Sequence, residues 1–205
     1  MFSSVFEPSD QENIDRKIAL GLVSVAQGVK TLLLRAVKRY GLSPIQIHFL
    51  SALYFEGENE WTMGAIARRF VLTPATVSDA VGTMEGKGLL RRKRRGADNR
   101  IIDVVLTNKG RTLARKVGTW ANPLAGMVVS LTRQQKTSLF EAMMFVIKGL
   151  EKELLVSPFR MCLTCRYFDR DVRPGHAQPH YCEFLDRSFT QADLRIDCPE
   201  YSAFD

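Results

Sequence analysis

The chain has 205 residues, of which 45% are hydrophobic and 25% charged, with a formal net charge of +7. This composition is typical of a soluble globular protein with one main core and an appendage, or with two small domains. There is no continuous run of about 18 apolar residues, and the N-terminus lacks a basic start followed by an apolar block. We therefore expect neither a membrane span nor a secretory signal, and a cytoplasmic location.

Charge and cysteine are unevenly distributed. Residues 156–205 contain six arginines against eight acidic residues, which leaves 23 basic and 14 acidic residues in 1–155. A basic main domain suits a polyanionic partner, or is simply a solvated basic surface. All four cysteines lie in 156–205. In a cytosolic protein this clustering favours metal or redox chemistry over a framework of structural disulfides.

The first predicted element is a long helix over 9–40. Apolar residues recur there at helical spacing, Ser9 with Glu12 forms a capping box, and Gly41 ends the helix. Turn and capping signals then divide the chain into three helices and two strands. The helices are predicted at 44–55, 62–70 and 73–87, and the strands at 89–95 and 100–106, joined by a turn at 96–99.

Two long helices are predicted after the strands. Thr107 begins one that runs to about Ser130 with a kink at Pro123. Thr132 with Gln135 forms a capping box that begins the last one.

Two short helices followed by a strand hairpin are typical of a winged helix-turn-helix. We expect this DNA-binding motif over about 42–106, and we expect the part that contacts DNA to lie at 62–106. The second short helix has an apolar face of Val77, Ala80, Val81 and Met84. Its outward residues are short and polar near the N-terminus, as entry into the major groove requires. The predicted DNA contacts on it are Thr73, Ala75, Thr76, Ser78 and Asp79. Asp79 either accepts from a cytosine amino group or pairs with a nearby arginine.

The hairpin carries six cations around one turn, against a single acidic residue, Asp98. Each phosphate that such a cation neutralises releases roughly 0.9 counterion, and an arginine at the tip suits a narrow minor groove. The alternatives are a solvated basic loop and an RNA-binding patch. The predicted DNA contacts in the hairpin are Arg92, Arg94, Arg95, Asp98 and Arg100.

In their order along the chain, these motifs resemble the MarR family of bacterial transcriptional regulators over about residues 10–155. The residues that carry the resemblance are Leu42-Ser43-Pro44-Ile45-Gln46, Met63-Gly64-Ala65-Ile66-Ala67, Thr76-Val77-Ser78, Gly88-Leu89-Leu90-Arg91-Arg92, Asp98-Asn99-Arg100 and Leu106-Thr107-Asn108-Lys109-Gly110. The resemblance implies that Arg100 contacts the minor groove and that Asp98 orients it. Asn99 departs from the charged or bulky residue usual at its position.

The resemblance also implies a homodimer that binds double-stranded DNA at a pseudo-palindromic site, acts more often as a repressor and often responds to a small-molecule effector. It places the dimer interface on the helices at 9–40 and 107–155, which are apolar over more than one stripe. The alternative is a monomer whose terminal helices pack only on themselves.

The tail at 156–205 has the spacing C-x2-C, sixteen residues, C, fifteen residues, C. Four thiolates make a closed tetrahedral zinc site, and a metal would supply folding free energy that so few aliphatic residues cannot. An iron–sulfur cluster and a metal-free thiol switch are the alternatives. The predicted ligands are Cys162, Cys165, Cys182 and Cys198, with His180 as a possible substitute or as a partner that bonds a ligand.

The predicted fold class is mostly helical (α+β). A winged helix-turn-helix with long dimerisation helices occupies 1–155, and a small metal-stapled extension occupies 156–205. The leading function is sequence-specific transcription regulation. The alternative is a metal- or redox-sensing regulator whose tail controls DNA binding. No enzyme is expected, because the chain has no nucleophile–base pattern and no glycine-rich phosphate loop.

Overall fold

The computed structural model describes residues 4–6, 13–57, 61–95 and 98–204, and the side chains of residues 95 and 98–100 are outside that description. The chain divides into two compact units. The first unit consists of Met1–Ile66 and Thr73–Met127, and the second of Ala67–Leu72 and Val128–Asp205.

Helix α1 spans Ile14–Tyr40 and begins at Asn13, whose side chain accepts two backbone hydrogen bonds. The predicted capping box at residues 9–12 lies outside the described residues. The predicted end is confirmed. Gly41 has a left-handed φ of 63° and donates its N–H back into the last turn, a conformation that glycine adopts without steric cost.

The next three helices begin at side-chain caps, of which the sequence predicted those at Ser43 and Thr73. They are α2 (Pro44–Phe55), α3 (Met63–Phe70) and α4 (Pro74–Gly86). Ser43 and Gln46 form the capping box of α2, while the hydroxyls of Thr62 and Thr73 each accept a backbone N–H at the start of α3 and α4. These caps satisfy orphan donors of each first turn, which explains why the three helices begin where predicted.

A two-stranded antiparallel hairpin follows α4. Strand β1 covers Leu90–Arg95 and β2 covers Asp98–Leu106, with an irregularity in the register between Arg94 and Arg95. Strand β2 begins two residues earlier than predicted, so the turn is shorter than expected. On its other side, Val104 donates its N–H to the carbonyl of Trp61 at 2.8 Å, which ties β2 to the segment before α3.

The single helix predicted over 107–130 is wrong. The structure has α5 at Asn108–Val117 and a separate α6 at Asn122–Met127. Helix α5 ends at Gly118 before the proline is reached, and Pro123 is the second residue of α6. Because proline has no N–H and blocks the preceding turn, it is tolerated in a first turn but not in a helix interior.

The core of the first unit is formed by apolar side chains of α2, α4 and the hairpin. Those almost fully buried include Ile47, Phe49, Leu50, Val77, Met84, Leu89, Leu90 and Val104. Helices α2 and α4 and the hairpin therefore share one core. This shared core fixes the position of α4 next to β1, with the other face of α4 exposed.

Helix α7 (Arg133–Lys152) begins at the predicted capping box of Thr132 and Gln135. It shares the second unit with a three-stranded sheet in the order β3 (Phe168–Asp169), β4 (His180–Cys182) and β5 (Arg187–Phe189).

The prediction assigned α7 to the domain at 1–155 and separated it from the tail. Instead, Met144 of α7 is buried in one cluster with Met161, Phe189 and Leu194 of the tail. The tail is poor in aliphatic residues, and it makes a core by packing on α7.

Of the helices that the structure describes, α1 is long and apolar enough, by length and composition alone, to cross a membrane. This is weak evidence for a membrane span, because core helices of soluble proteins and signal sequences meet the same criterion. No part of its apolar 18-residue window is buried within the chain. The helix thus carries an exposed apolar surface, which includes Ile14, Ile18, Leu22, Val25 and Leu34.

Candidate nucleic-acid interface and cysteine cluster

Helix α4 separates its residues into a buried and an exposed face, as predicted. Val77, Ala80, Val81 and Met84 are buried at 0–8% exposure. The predicted DNA contacts Thr73, Ala75, Thr76, Ser78 and Asp79 are all exposed. The amphipathic pattern is confirmed, and the helix presents short side chains to solvent over its first two turns.

Two of these hydroxyls are partly engaged at the start of the helix. The Thr73 Oγ1 accepts the N–H of Thr76 at 3.2 Å, and the two threonine hydroxyls lie 2.8 Å apart within hydrogen-bond distance. A hydroxyl retains spare donor or acceptor capacity after one bond. Both side chains are therefore oriented and still able to bond a base edge or a phosphate.

Asp79 was predicted to accept from cytosine or to pair with an arginine. No ion pair joins Asp79 to a side chain among those that the structure describes. Its carboxylate is exposed on the same face as Ala75 and Ser78. Both alternatives for Asp79, a contact to cytosine and a pair with an arginine, therefore stay predictions.

One face of the basic hairpin changes in exposure along its length. Opposite residues of an antiparallel pair share a face, and Arg92 lies opposite Val104 while Arg94 lies opposite Ile102. Val104 is 1% exposed, whereas Ile102 is 37% exposed. This face is therefore buried near the core and exposed toward the hairpin turn. Arg92 lies opposite the buried Val104, and Arg94 lies closer to the turn.

Arg92 contacts helix α4. The Glu85 carboxylate of α4 accepts the Arg92 backbone N–H at 3.2 Å and lies 3.6 Å from its guanidinium Nε. Arg92 is a DNA contact predicted from the sequence, whereas no sequence pattern predicted its contact with Glu85. Since both side chains are about 40% exposed, the pair contributes little to stability. Its consequence is geometric, because it links the orientation of the hairpin to that of α4.

Three of the DNA contacts predicted in the hairpin belong to residues of which only the backbone is described. Asp98 and Arg100 belong to β2, and Arg95 ends β1 opposite Asp98. The pairing of β1 with β2 thus brings all three near the hairpin turn. The predicted minor-groove contact of Arg100 and its orientation by Asp98 depend on side chains outside the described part.

A family model described as MarR family matches residues 40–101, from the end of α1 into β2. This segment of the chain is therefore similar to the winged helix domain of the MarR family. A curated relative, the HTH-type transcriptional repressor MdtR of Bacillus subtilis (strain 168), is 29% identical over 93 residues. These residues cover 45% of this chain and 59% of the relative, so the chain spans somewhat more than half of that repressor.

Solved structures agree on the fold. YusO of Bacillus subtilis is 21% identical with a TM-score of 0.53, over 68% of this chain and 98% of its own. A MarR family protein of Bacillus stearothermophilus is 19% identical with a TM-score of 0.56, over 70% and 99%. MepR of S. aureus, solved in a DNA complex, is 20% identical with a TM-score of 0.56, over 65% and 97%. The predicted winged helix-turn-helix fold is therefore confirmed.

The four tail cysteines lie well beyond the residues that match the MarR family model. All four are free thiols, and all four line one small cavity of the second unit with Phe168, Phe184, Phe189 and Arg195 among its other walls. The structure therefore gathers Cys162, Cys165, Cys182 and Cys198, which the sequence predicted to act together.

Arg195 contacts two of the sulfurs and was missed by the sequence analysis. Its backbone N–H donates to Cys162 Sγ at 3.2 Å, and its guanidinium Nη1 donates to Cys198 Sγ at 3.5 Å. Burial raises the pKa of the Cys162 thiol, and the Arg195 hydrogen bond opposes that rise. No spacing rule marks an arginine three residues before a cysteine, so only the fold identifies this contact.

His180 is 2% exposed, and both its ring nitrogens have partners. Nδ1 accepts the backbone N–H of Asp171 at 3.2 Å, so Nε2 carries the proton and donates to Gln191 Oε1 at 2.6 Å. In this arrangement His180 is a buried packing residue, and its predicted role as a substitute ligand or as a partner that bonds a ligand stays a prediction. Its ring holds the loop before β4 against the segment after β5.

Within the part of the chain that the structure describes, no three His, Cys, Asp or Glu side chains stand as a group that could hold a metal ion. The cysteine sulfurs share a cavity without yet forming such a group. The predicted zinc or iron–sulfur site therefore stays a prediction at this point.

Proposed function

We propose that this protein is a sequence-specific DNA-binding transcriptional regulator that works as a homodimer. The observation that carries the proposal is the exposed, short-chained N-terminal half of α4 beside a cationic hairpin, within a MarR-family domain. The relative MdtR is named a transcriptional repressor, and MepR was solved in a DNA complex. Both support a DNA partner for this chain, and the first supports repression as the sign of regulation.

The two parts of the interface supply different terms of the binding free energy. The first turns of α4 offer hydroxyl, methyl and carboxylate groups but no arginine, asparagine or glutamine, which make the strongest bidentate base contacts. The hairpin offers Arg91, Lys93 and Arg94 as exposed cations. Affinity therefore depends chiefly on phosphate contacts of the hairpin, and α4 adds a modest discrimination between bases.

Two observations support dimerisation. Helix α1 has an exposed apolar surface, and a single copy of α4 can contact only a few base pairs. Ile14, Ile18 and Val25 are 51–63% exposed on a helix with two buried residues. A second copy of α1 would cover this surface, and two-fold symmetry would present two copies of α4 to a pseudo-palindromic site. Half-sites about one helical turn apart are the expected spacing.

The hairpin contribution is tested by replacing Arg94 with alanine. We expect operator affinity to fall about tenfold or more and the salt dependence to weaken. Each chain of the dimer loses one phosphate contact, so the slope of log K against log salt should decrease in magnitude by about 2. Fluorescence anisotropy over a series of salt concentrations, on a genomic fragment selected by the protein, measures both quantities.

Arg115→Ala is the matched control, because it removes the same charge from an exposed site on α5. We expect it to leave the salt slope within about 0.5 of wild type, since only direct phosphate contacts release counterions. Equal slopes for Arg94→Ala and wild type would remove the hairpin from the interface. Failure of wild-type protein to select any DNA fragment would contradict the proposed function itself.

The small-molecule effector expected from the MarR resemblance stays a prediction, and we propose no enzymatic role. The alternative function, a metal- or redox-sensing regulator, depends on the cysteine cluster. That cluster can be tested independently of DNA binding.

A further inference from the structure

We infer that Cys162, Cys165, Cys182 and Cys198, here called the cysteine cluster, bind one thiophilic metal centre per chain, either a zinc ion or an iron–sulfur cluster. The residues that match the MarR family model end at 101, so nothing in that match assigns this site. The inference stands apart from the proposed DNA-binding function, because every residue that carries it belongs to the second unit.

Backbone hydrogen bonds bring the first and last cysteines together. The Cys162 N–H donates to the carbonyl of Arg195 at 3.0 Å, and the Cys198 N–H donates to the carbonyl of Arg160 at 2.8 Å. The segments around residues 160–162 and 195–198 are thus paired side by side. Two cysteines 36 positions apart in the sequence are held near each other by the fold without any bond between their sulfurs.

A second set of backbone contacts adds the middle two cysteines. A turn of 3-10 helix at Cys162–Thr164 is followed by the Cys165 N–H donating back to the Cys162 carbonyl at 3.0 Å. The Phe168 N–H donates to the Cys165 carbonyl at 3.1 Å, and Phe168 pairs with Cys182 across β3 and β4. The chain therefore delivers thiols from three separate segments to the walls of one cavity.

The surroundings of the sulfurs suit thiolates bound to a metal. Arg195 donates hydrogen bonds to the sulfurs of Cys162 and Cys198 from its backbone and its guanidinium. Hydrogen bonds to ligating sulfurs stabilise their charge and tune the metal they hold. A guanidinium also offsets part of the negative charge that four thiolates accumulate.

The degree of burial favours a metal over a metal-free thiol switch. Cys162 and Cys165 are 7% and 8% exposed, behind aromatic side chains that line the cavity, and Cys182 and Cys198 are half-buried. Redox-sensing thiols are typically accessible to solvent and oxidant. Four free thiols around an apolar cavity are instead the arrangement in which a metal adds folding free energy to a small unit.

Binding requires the thiols to turn toward the centre of the cavity, since no three of the described ligand-type side chains yet form a metal-holding group. A cysteine side chain has one rotatable heavy-atom torsion with three staggered positions, and rotation about this torsion moves the sulfur while the backbone stays in place. A single zinc ion would draw all four sulfurs to about 2.3 Å from one point. An iron–sulfur cluster accepts sulfurs that lie farther apart, because its thiolates bind different iron atoms.

The test is the metal content of the full-length protein purified without oxygen. We expect either about one zinc per chain without colour, or iron with matching acid-labile sulfide and a brown visible absorption. Either result supports the site, and the spectrum tells the two centres apart. Iodoacetamide should label the four thiols only after a chelator or denaturant has removed the metal.

Cys182→Ser and Cys198→Ser each remove one ligand, and Thr164→Ser is the matched control inside the C-x2-C turn. Loss of a residue that only hydrogen-bonds a metal ligand already lowers metal affinity about 10- to 100-fold. We therefore expect each cysteine variant, which lacks a ligand itself, to lose metal on dialysis while the control keeps it. If the cysteine variants do not fold, the wild-type metal content and thiol protection still decide the question. Wild-type protein that holds neither metal, takes up none on reconstitution and exposes four reactive thiols would overturn the inference.

Discussion

Gly110→Ala is expected to destabilise the first compact unit by about 2–3 kcal/mol, at the upper end of the usual cost of overpacking. A Cβ on Gly110 would lie 1.9 Å from the carbonyl oxygen of Leu89 and 2.9 Å from its carbonyl carbon. That carbonyl accepts the N–H of Thr107 at 3.0 Å, and Leu89 is 2% exposed. The oxygen therefore cannot move aside without breaking a bond that joins β1 to the start of α5.

Thermal unfolding followed by circular dichroism measures this effect. A loss of about 2–3 kcal/mol corresponds to a fall in Tm of roughly 5–10 °C for a chain of this size. Alanine also favours helix over glycine by about 1 kcal/mol, so the clash must exceed that gain for the domain to be destabilised. An unchanged or raised Tm would show that α5 does not pack on Leu89 as described.

Gly118→Ala is the matched control on the same stretch of chain. Its Cβ would come within 2.1 Å of the ring of Phe55, which is an apparent clash of similar severity. Phe55 is 62% exposed, and its ring can rotate into solvent at a cost of less than about 1 kcal/mol. The comparison separates a clash with fixed backbone from a clash with a side chain that can move.

Val25→Glu is expected to convert the proposed dimer into monomer and to lower operator affinity by at least about 100-fold. Val25 is 61% exposed on α1, on a stripe with Ile18 and Leu22. Because each chain of a symmetric dimer carries the substitution, the interface would bury two carboxylates. Burying them costs several kcal/mol when no cation pairs with them. Since about 1.4 kcal/mol changes an equilibrium tenfold, a 100-fold loss is a conservative expectation.

Sedimentation equilibrium and anisotropy on the same samples distinguish assembly from DNA contact. Gln27→Glu places the same charge on the opposite side of α1 and should leave both the dimer and the affinity unchanged. A wild-type protein that sediments as a monomer, or a Val25→Glu variant that stays dimeric with full affinity, would place the interface elsewhere.

Local signals in the sequence predicted much of the first unit. Ser43, Thr73 and Thr132 are N-caps in the structure, because a side chain that satisfies a first-turn N–H acts over three residues. The buried face of α4 was predicted for a similar reason, since the helical period decides which side chains point the same way.

Two helix assignments were wrong, one because of a local proline and one because of packing between segments distant in sequence. The helix predicted over 107–130 breaks at Gly118 and resumes as α6, with Pro123 in its first turn. Helix α7 was assigned to the domain before it, yet Met144 packs on the tail. Periodicity shows that a helix is amphipathic and does not show which partner covers its apolar side.

The sequence by itself determined the winged helix-turn-helix and the cationic hairpin, because both depend on residue types at short spacings. Only the tertiary structure decided that Glu85 binds Arg92, that Arg195 donates to two sulfurs, and that both ring nitrogens of His180 are hydrogen-bonded. These contacts join residues that are brought together by strand pairing and packing. Their geometry depends on the whole fold, and no local pattern of residues specifies it.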